Sequence, residues 1–413
     1  MHLNIAVFQP HTKDTKCPSI LYFKFTIVFE RIKLYYIFNL YDLEENMEKT
    51  YVGYKELGYK RKQVEYTSPT KLLDENGKVL VQGGWARHNV FEYNRGHAHP
   101  QWRGKEWDFY QICNGKYMVQ ISFANISIGG YAQAVLVDVS GKEQKLISAM
   151  SLFLGGKNKY VLPANGEKPN KFEYTKGEFY FKEETFEDHR VVEFKGPFKG
   201  EMIEAKFEMD IMPGLESCVT VTPFKRKGEY LWDRFFLTMK QNSMPTEGTF
   251  KVGNDTYGFN KSDTFTVLDW GRGVWPNKEV WYWGNGSTYI DGADGKKHIF
   301  GFEITWGIGC EDNGTATCLF YDGKAHKIGS VDVETFPKPD KYMEPWHFVS
   351  EDGRFDMVMT PVFDHHSDLN VGVARMHSHQ VHGRWNGTVV LDDGTKLEIK
   401  DMYAFCEYVE NRW

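Results

Sequence analysis

The densest run of chemistry-bearing side chains is Leu268-Asp269-Trp270-Gly271-Arg272-Gly273-Val274-Trp275-Pro276, followed by Trp281 and Trp283. Two glycines flank the arginine, so the backbone can bend sharply there. Asp269 and Arg272 are near enough in sequence to pair. Trp281 and Trp283 are two apart, so in a strand they face the same side. The pattern predicts an aromatic wall beside a charged pair, with a carboxylate at the mouth or floor of a ligand cavity. The competing reading is a buried Asp–Arg pair that pins a barrel corner under Trp packing, because buried charges need partners.

A second run carries the same residue types: Trp85-Ala86-Arg87-His88, then Trp102 to Asp108 with Trp107 inside it. Arg87 stacked on a tryptophan makes a cation–π contact. That contact either holds a ligand or plugs one end of a barrel. Histidines make the third cluster: His365-His366, then His377, His379 and His382. His377 and His379 share a strand face. Zinc or iron needs at least one more ligand, with Asp364 or Glu407 as candidates. Exposed histidine clusters are common without metal, and neither a metal nor another cofactor is expected. His379 is instead a candidate general base, with Gln380 as a polar ligand contact beside it. There is no Gly-x-Ser-x-Gly elbow and no convincing Ser-His-Asp set. The 56 acidic residues offer too many pairs to single out a glycosidase couple.

The elements that must position these residues read as strands. The chain has 413 residues, a net charge of −6, 41% hydrophobic and 16% aromatic residues. No clustered basic face exists, so nucleic acid is not an expected partner. The six cysteines are scattered without a C-x-x-C pair. They read as reduced core thiols, which suits a cytoplasmic protein. Asn-Gly and Asp-Gly pairs recur from Asn76-Gly77 to Asp393-Gly394, including Asn114-Gly115, Asn285-Gly286, Asp322-Gly323 and Asn386-Gly387. Such pairs supply the positive φ angles of hairpin turns. Between them lie period-two runs such as Tyr117 to Phe123 and Lys396 to Lys400, each with one buried and one wetter face. No helical stripe and no phosphate loop interrupts them. The expectation is an all-β chain.

Gly83-Gly84-Trp85 and Gly273-Val274-Trp275 repeat a Gly-x-Trp spacing found near the first strand of lipocalin barrels, about 190 residues apart. This predicts two tandem lipocalin-like antiparallel barrels or half-barrels packed as one body, over residues 47–235 and 236–413, with the seam near Gly228 to Gln241. Residues 1–46 differ. Their apolar stretch is broken by Lys24, Glu30, Arg31 and Lys33, so they suit neither a signal peptide nor a span of about 20 apolar residues. Glu44-Glu45 just before Met47 can be encoded by a ribosome-binding sequence. Residues 1–46 are therefore expected to be a non-native or disordered extension, with translation starting at Met47. The intact mass of the natively expressed protein tests this.

The text from Val64 to Trp413 resembles the uncharacterised bacterial family known as domain of unknown function 2804. The resemblance rests on Leu72-Leu73-Asp74, Gly84 to His88, Glu106-Trp107-Asp108, Lys240-Gln241-Asn242, Leu268 to Pro276, Trp281, Glu344-Pro345-Trp346, Phe363-Asp364, His379-Gln380 with Gly383-Arg384, and Asn411-Arg412-Trp413. More distantly, the architecture resembles two-domain lipocalin-like proteins that include carotenoid hydratase (hydroxyneurosporene synthase). That likeness implies hydration, isomerisation or cyclisation of hydrophobic molecules.

The expected function is a cofactor-independent hydro-lyase or isomerase acting on a lipid, terpenoid or polyene by acid catalysis. Asp269 and Asp364 are the rival proton donors, with His379 as a base. The arginine three residues from Asp269 favours its ionised form, which keeps Asp364 in contention. Trp85, Arg87, Trp107, Trp270, Arg272, Trp275, Trp281, Trp283 and Gln380 are the expected ligand contacts. The alternatives are a non-catalytic carrier of a fatty acid or other lipid, and a carbohydrate-binding protein. The expected partner is a hydrophobic small molecule, without stable membrane insertion.

Overall fold

The computed structural model describes residues 60–412, apart from 142, 157–158, 293, 334–340 and 371–374. The expected extension at 1–46 lies outside the described residues. The chain is nearly all β, in two large sheets, one curled into a nearly closed barrel and the other into a half-barrel. Among the described residues, no helix is long and apolar enough to cross a membrane.

The first sheet runs in the hydrogen-bonded order Lys145–Leu154, Gly129–Asp138, Tyr117–Asn125, Gly104–Cys113, Phe265–Val274, Glu229–Val252, Glu201–Asp210, His189–Phe198, Phe179–Thr185 and Asn170–Lys176. Its two ends curl back toward each other. Ser151 Oγ lies 2.8 Å from the Tyr174 hydroxyl, and Lys176 Nζ donates to the Leu152 carbonyl. Alternation drives this closure. In Lys145–Leu154 every second residue is buried, so one face turns inward onto Phe123, Phe172, Tyr174 and Phe181. The second sheet centres on Lys297–Trp306, Lys278–Asp291, Lys396–Arg412, Arg375–Val390 and Phe355–Asn370. Its inner face buries Phe302, Trp306, Trp346, Met357 and Trp385.

Several expected turns form: Gly115, Gly323 and Gly394 have φ of 79°, 79° and 86°. Two do not. Asn285-Gly286 lies within the strand Lys278–Asp291. A Cβ at Gly286 would stand 2.7 Å from the Ala404 Cβ, so this glycine serves close strand approach rather than a turn. Asn386-Gly387 falls at a register shift within Arg375–Val390.

The change of sheet also differs from the expected seam at 235/236. Glu229–Val252 and Phe265–Val274 both stay in the first sheet, and the second begins at Lys278. The strand Glu229–Val252 runs on because a register shift between Gln241 and Met244 lets it bend without ending. Ser243, at φ 62°, sits in that bulge. The bulge also docks the two sheets: Asn242 Nδ2 donates to the Phe302 carbonyl at 3.0 Å, and Ser287 Oγ donates to Asn242 Oδ1 at 2.6 Å.

Candidate active site between the two sheets

Strand alternation decides where each candidate residue goes. In Phe265–Val274, Leu268, Trp270 and Val274 join the core of the first barrel. Arg272 shares their face, and Asp269 and Gly271 point the other way. Asp269 and Arg272 therefore do not pair, correcting the sequence expectation. Arg272, 0% exposed, binds both Asp108 oxygens at 3.1–3.2 Å and donates to the Pro163 carbonyl. It stacks 4.2 Å over Trp270, whose own Nε1 donates to the same carbonyl. This is the barrel-pinning arrangement. A cavity of about 10 Å³ beside it, lined by Asp108, Glu183, Arg190 and Trp270 among others, has room for about one water.

Asp269 instead faces the second sheet. Its directly opposed neighbour on Glu229–Val252 is Lys240, and Lys240 Nζ lies 2.6 Å from Asp269 Oδ1. Both are nearly enclosed, at 2% and 7% exposed. Thr238 Oγ1 donates to Asp269 Oδ1 at 3.1 Å and Trp107 Nε1 to Oδ2 at 3.2 Å. Trp107 lies opposite Gly271. A Cβ at Gly271 would stand 2.1 Å from the Trp107 ring, so the glycine makes space for the indole.

The second sheet presents two more carboxyls to this pair. Glu407 accepts from Trp281 Nε1 at 3.0 Å and from Gln380 Nε2 at 3.2 Å. Gln380 and Glu407 are register partners on adjacent strands. Gln120 of the first sheet closes the link, donating to Gln380 Oε1 at 2.6 Å. Glu303, 0% exposed, accepts from Trp283 Nε1 at 2.8 Å and Asn242 Nδ2 at 3.3 Å. Lys240 Nζ lies 4.3 Å above the Trp283 ring. Three carboxyls thus each hold an indole N–H around one lysine.

Burial sets the protonation of two of them, because a desolvated carboxyl favours its neutral form. Burial pushes Glu407 up to about 7; Trp281 and Gln380 oppose that, Asp269 reinforces it and Lys240 opposes it. Burial pushes Glu303 up to about 8, against Lys240 and Trp283 and with Asp269. A carboxyl at about 7 populates both forms near neutral pH, as an acid–base catalyst requires.

The tryptophans do not ring an open chamber. Trp275 packs edge-on against Trp107 and Trp281, each at 5.7 Å, and against Phe236 at 5.0 Å. Trp283 is wedged between Phe109 and Phe405. Trp107, Phe109, Tyr131, Trp281 and Glu407 are nonetheless only half-buried, so the cluster reaches the surface.

The other expected residues lie elsewhere. Asp364 and His379 face away from Gln380 and Glu407, since alternate residues of a strand take opposite faces. They pair with each other, His379 Nδ1 to Asp364 Oδ2 at 2.7 Å, and Tyr342 stacks on His379 at 3.7 Å. Arg87 lies 5.1 Å over Trp85 and binds Glu65, Glu216 and the Ala325 carbonyl. That ties the first unit to the second. Of the expected set, the structure therefore gathers Asp269, Trp107, Trp275, Trp281, Trp283 and Gln380.

Sequence reasoning misses Lys240 and Glu303 and offers Glu407 only as a metal ligand. The available signal was a lone acid in an apolar strand: Phe300-Gly301-Phe302-Glu303-Ile304 and Ala404-Phe405-Cys406-Glu407-Tyr408-Val409.

A family model described as "Domain of unknown function (DUF2804)" matches residues 63–413. The chain belongs to this family. No curated protein matches. Among solved structures, kievitone hydratase from Nectria haematococca is similar at 10% identity and TM-score 0.42, over 86% of this chain and 98% of that one. CghA is similar at 9% identity and TM-score 0.44, over 75% and 87%. A putative AttH from Nitrosomonas europaea is similar at 12% identity and TM-score 0.38, over 76% and 94%.

Proposed function

We propose that the half-buried aromatic cluster around Glu407, between the two sheets, is the active site of a cofactor-independent hydro-lyase or isomerase acting on a hydrophobic small molecule. The observation that carries this reading is the placement of the Glu407 carboxyl. It is held by Trp281 and Gln380 at the edge of a half-buried aromatic surface, within electrostatic range of the Asp269–Lys240 pair.

In hydration, the Glu407 carboxyl gives its proton to one alkene carbon, and the π pair becomes the new C–H bond. Water adds to the cationic carbon, and its surplus proton returns to the Glu407 carboxylate. In isomerisation, the proton leaves from a neighbouring carbon instead. Either cycle restores the enzyme and consumes no oxidant or reductant. Aromatic faces stabilise a cation, and Trp107, Trp281 and Phe109 border the site. Asp269, fixed by Lys240, Thr238 and Trp107, supplies a preorganised negative charge. Glu407 thus takes the donor role that the sequence assigns to Asp269 or Asp364.

The test is turnover of a terpenoid, polyene and unsaturated-lipid panel by the full chain, with Glu407→Gln and Asp269→Asn beside it. Removing a general acid costs about 10²–10⁴ in rate. Unreduced turnover by Glu407→Gln on a substrate the native chain converts ends the assignment. A lipid that co-purifies and is returned unchanged after incubation, with no turnover of any panel member, establishes a carrier instead.

A further inference from the structure

The face of the second sheet opposite Glu407 carries a separate cluster. His366 and His379 are directly opposed on adjacent antiparallel strands, and His377 is opposed to Asp368 one pair further along the same face. The His366 and His379 rings stack in parallel at 4.2 Å. His377 meets them edge-on at 5.1 and 5.0 Å. One ligand nitrogen from each of the three lies within 4.8 Å of the others.

We propose that His366, His377 and His379 bind a divalent first-row transition cation of the zinc type, with a further position left to water. Three imidazoles plus an open position is a donor set that zinc accepts. Two independent features of the surroundings support it. Asp364 Oδ2 holds His379 Nδ1 at 2.7 Å, which leaves Nε2 as the ligating nitrogen. A carboxylate behind a histidine fixes its tautomer and raises its basicity toward a metal. Tyr342, stacked at 3.7 Å and 7°, fixes the plane of that ring. Second, His377 Nδ1 is buried and finds no hydrogen-bond partner among the described residues, although Asp368 Oδ2 lies 3.9 Å away. A buried nitrogen without a partner is costly, and a bound ion would satisfy it. His366 is exposed, which gives an ion its entry. Bonds of about 2.0–2.1 Å hold tetrahedral nitrogens roughly 3.4 Å apart and lie in the plane of each imidazole, so the exposed His366 ring turns out of its parallel stack on His379 when an ion binds.

The experiment uses the full chain without an affinity tag, stripped with a chelator and titrated with Co²⁺ alone. The expected result is one equivalent bound, seen as visible ligand-field absorption that Zn²⁺ abolishes. His366→Gln, His377→Gln and His379→Gln each remove the band, and Asp364→Asn weakens binding about 10–100-fold. Circular dichroism reports the fold of each variant. Should the two more buried histidine variants fail to fold, the exposed His366→Gln decides. Well under one equivalent of Co²⁺ bound by the native chain, or equal affinity in His366→Gln, overturns the site. Because this cluster and Glu407 occupy opposite faces, turnover by Glu407→Gln and Co²⁺ binding report on the two readings separately.

Discussion

Lys240 and Asp269 meet at 2.6 Å between opposed positions of two neighbouring strands, both nearly closed off from water. Breaking one side of a buried ion pair strands the other charge and costs about 3–5 kcal/mol. Lys240→Met and Asp269→Asn are each expected to lower stability by that order. The double variant recovers part of the loss, because neither charge is left alone. Urea unfolding of the four proteins measures the coupling. Additive losses would show that the two side chains do not act as a pair.

Glu303 makes stability depend on pH in a stated direction. Its folded-state pKa is raised to about 8 from an ordinary 4.5. Between those values the folded state binds the extra proton, so stability falls as pH rises from about 4.5 to about 8. Glu279, also pushed up to about 8 by burial, adds to the same trend. The native chain is expected to lose a few kcal/mol from pH 6 to pH 9. Glu303→Gln is expected to show a shallower fall. Denaturation midpoints at the two pH values decide, and an unchanged slope in the variant removes Glu303 as a cause.

Gly271 and Trp107 supply a packing test. With the ring 2.1 Å from where a Cβ would stand, Gly271→Ala must move the indole off Asp269. Overpacking of this kind costs about 1–3 kcal/mol. The loss should come with a changed tryptophan emission spectrum. Native emission and native stability in Gly271→Ala would show that the indole does not lie against the backbone at this position.

The fold was legible because period-two runs and turn glycines act locally. Tyr117 to Phe123 forms its strand and Asn114-Gly115 its turn within a few residues, although both faces of that strand are buried where the alternation predicts one wetter face. Asn285-Gly286 misled for the same reason: the demand for a glycine there comes from Ala404, more than a hundred residues away. The Asp269 site was half legible. Trp281 and Trp283 share a face by simple alternation. The same alternation separates Asp269 from Arg272, three residues apart, once the run is known to be a continuous strand rather than a bend. That Lys240 is the partner follows only from the register between Glu229–Val252 and Phe265–Val274, which no local pattern contains. The raised carboxyls depend on enclosure by a second sheet and so on the docking bulge at Gln241 to Met244.

Arg272 offers a test of the pinning reading. Its guanidinium meets both oxygens of Asp108 and the Pro163 carbonyl while sitting 4.2 Å over the Trp270 ring. Lysine keeps the charge but loses the planar fork and the stack. Arg272→Lys is expected to lower stability by about 2–4 kcal/mol, in line with a buried ion pair left incomplete. The Asp269 and Glu407 cluster on the other face of the strand should keep its function. A Tm equal to native would show that the fork adds nothing that a point charge lacks.

The pH profile separates an acid at Glu407 from a base there. Burial holds this carboxyl at about 7, and Trp281 with Gln380 prevents a larger rise. If the free enzyme must be protonated to act, kcat/KM is level at low pH and falls tenfold per unit above about 7. Gln380→Leu removes one hydrogen bond to the ionised form and leaves burial in place. The inflection should then move upward, while the maximum at low pH changes less. A purely structural role for Gln380 would lower activity equally at every pH and leave the inflection where it was. Glu303, pushed higher and fully enclosed, titrates in the same region. Glu303→Gln therefore stands as the control. The inflection must survive in that variant and vanish in Glu407→Gln for the proton to belong to the Glu407 carboxyl beside Trp281.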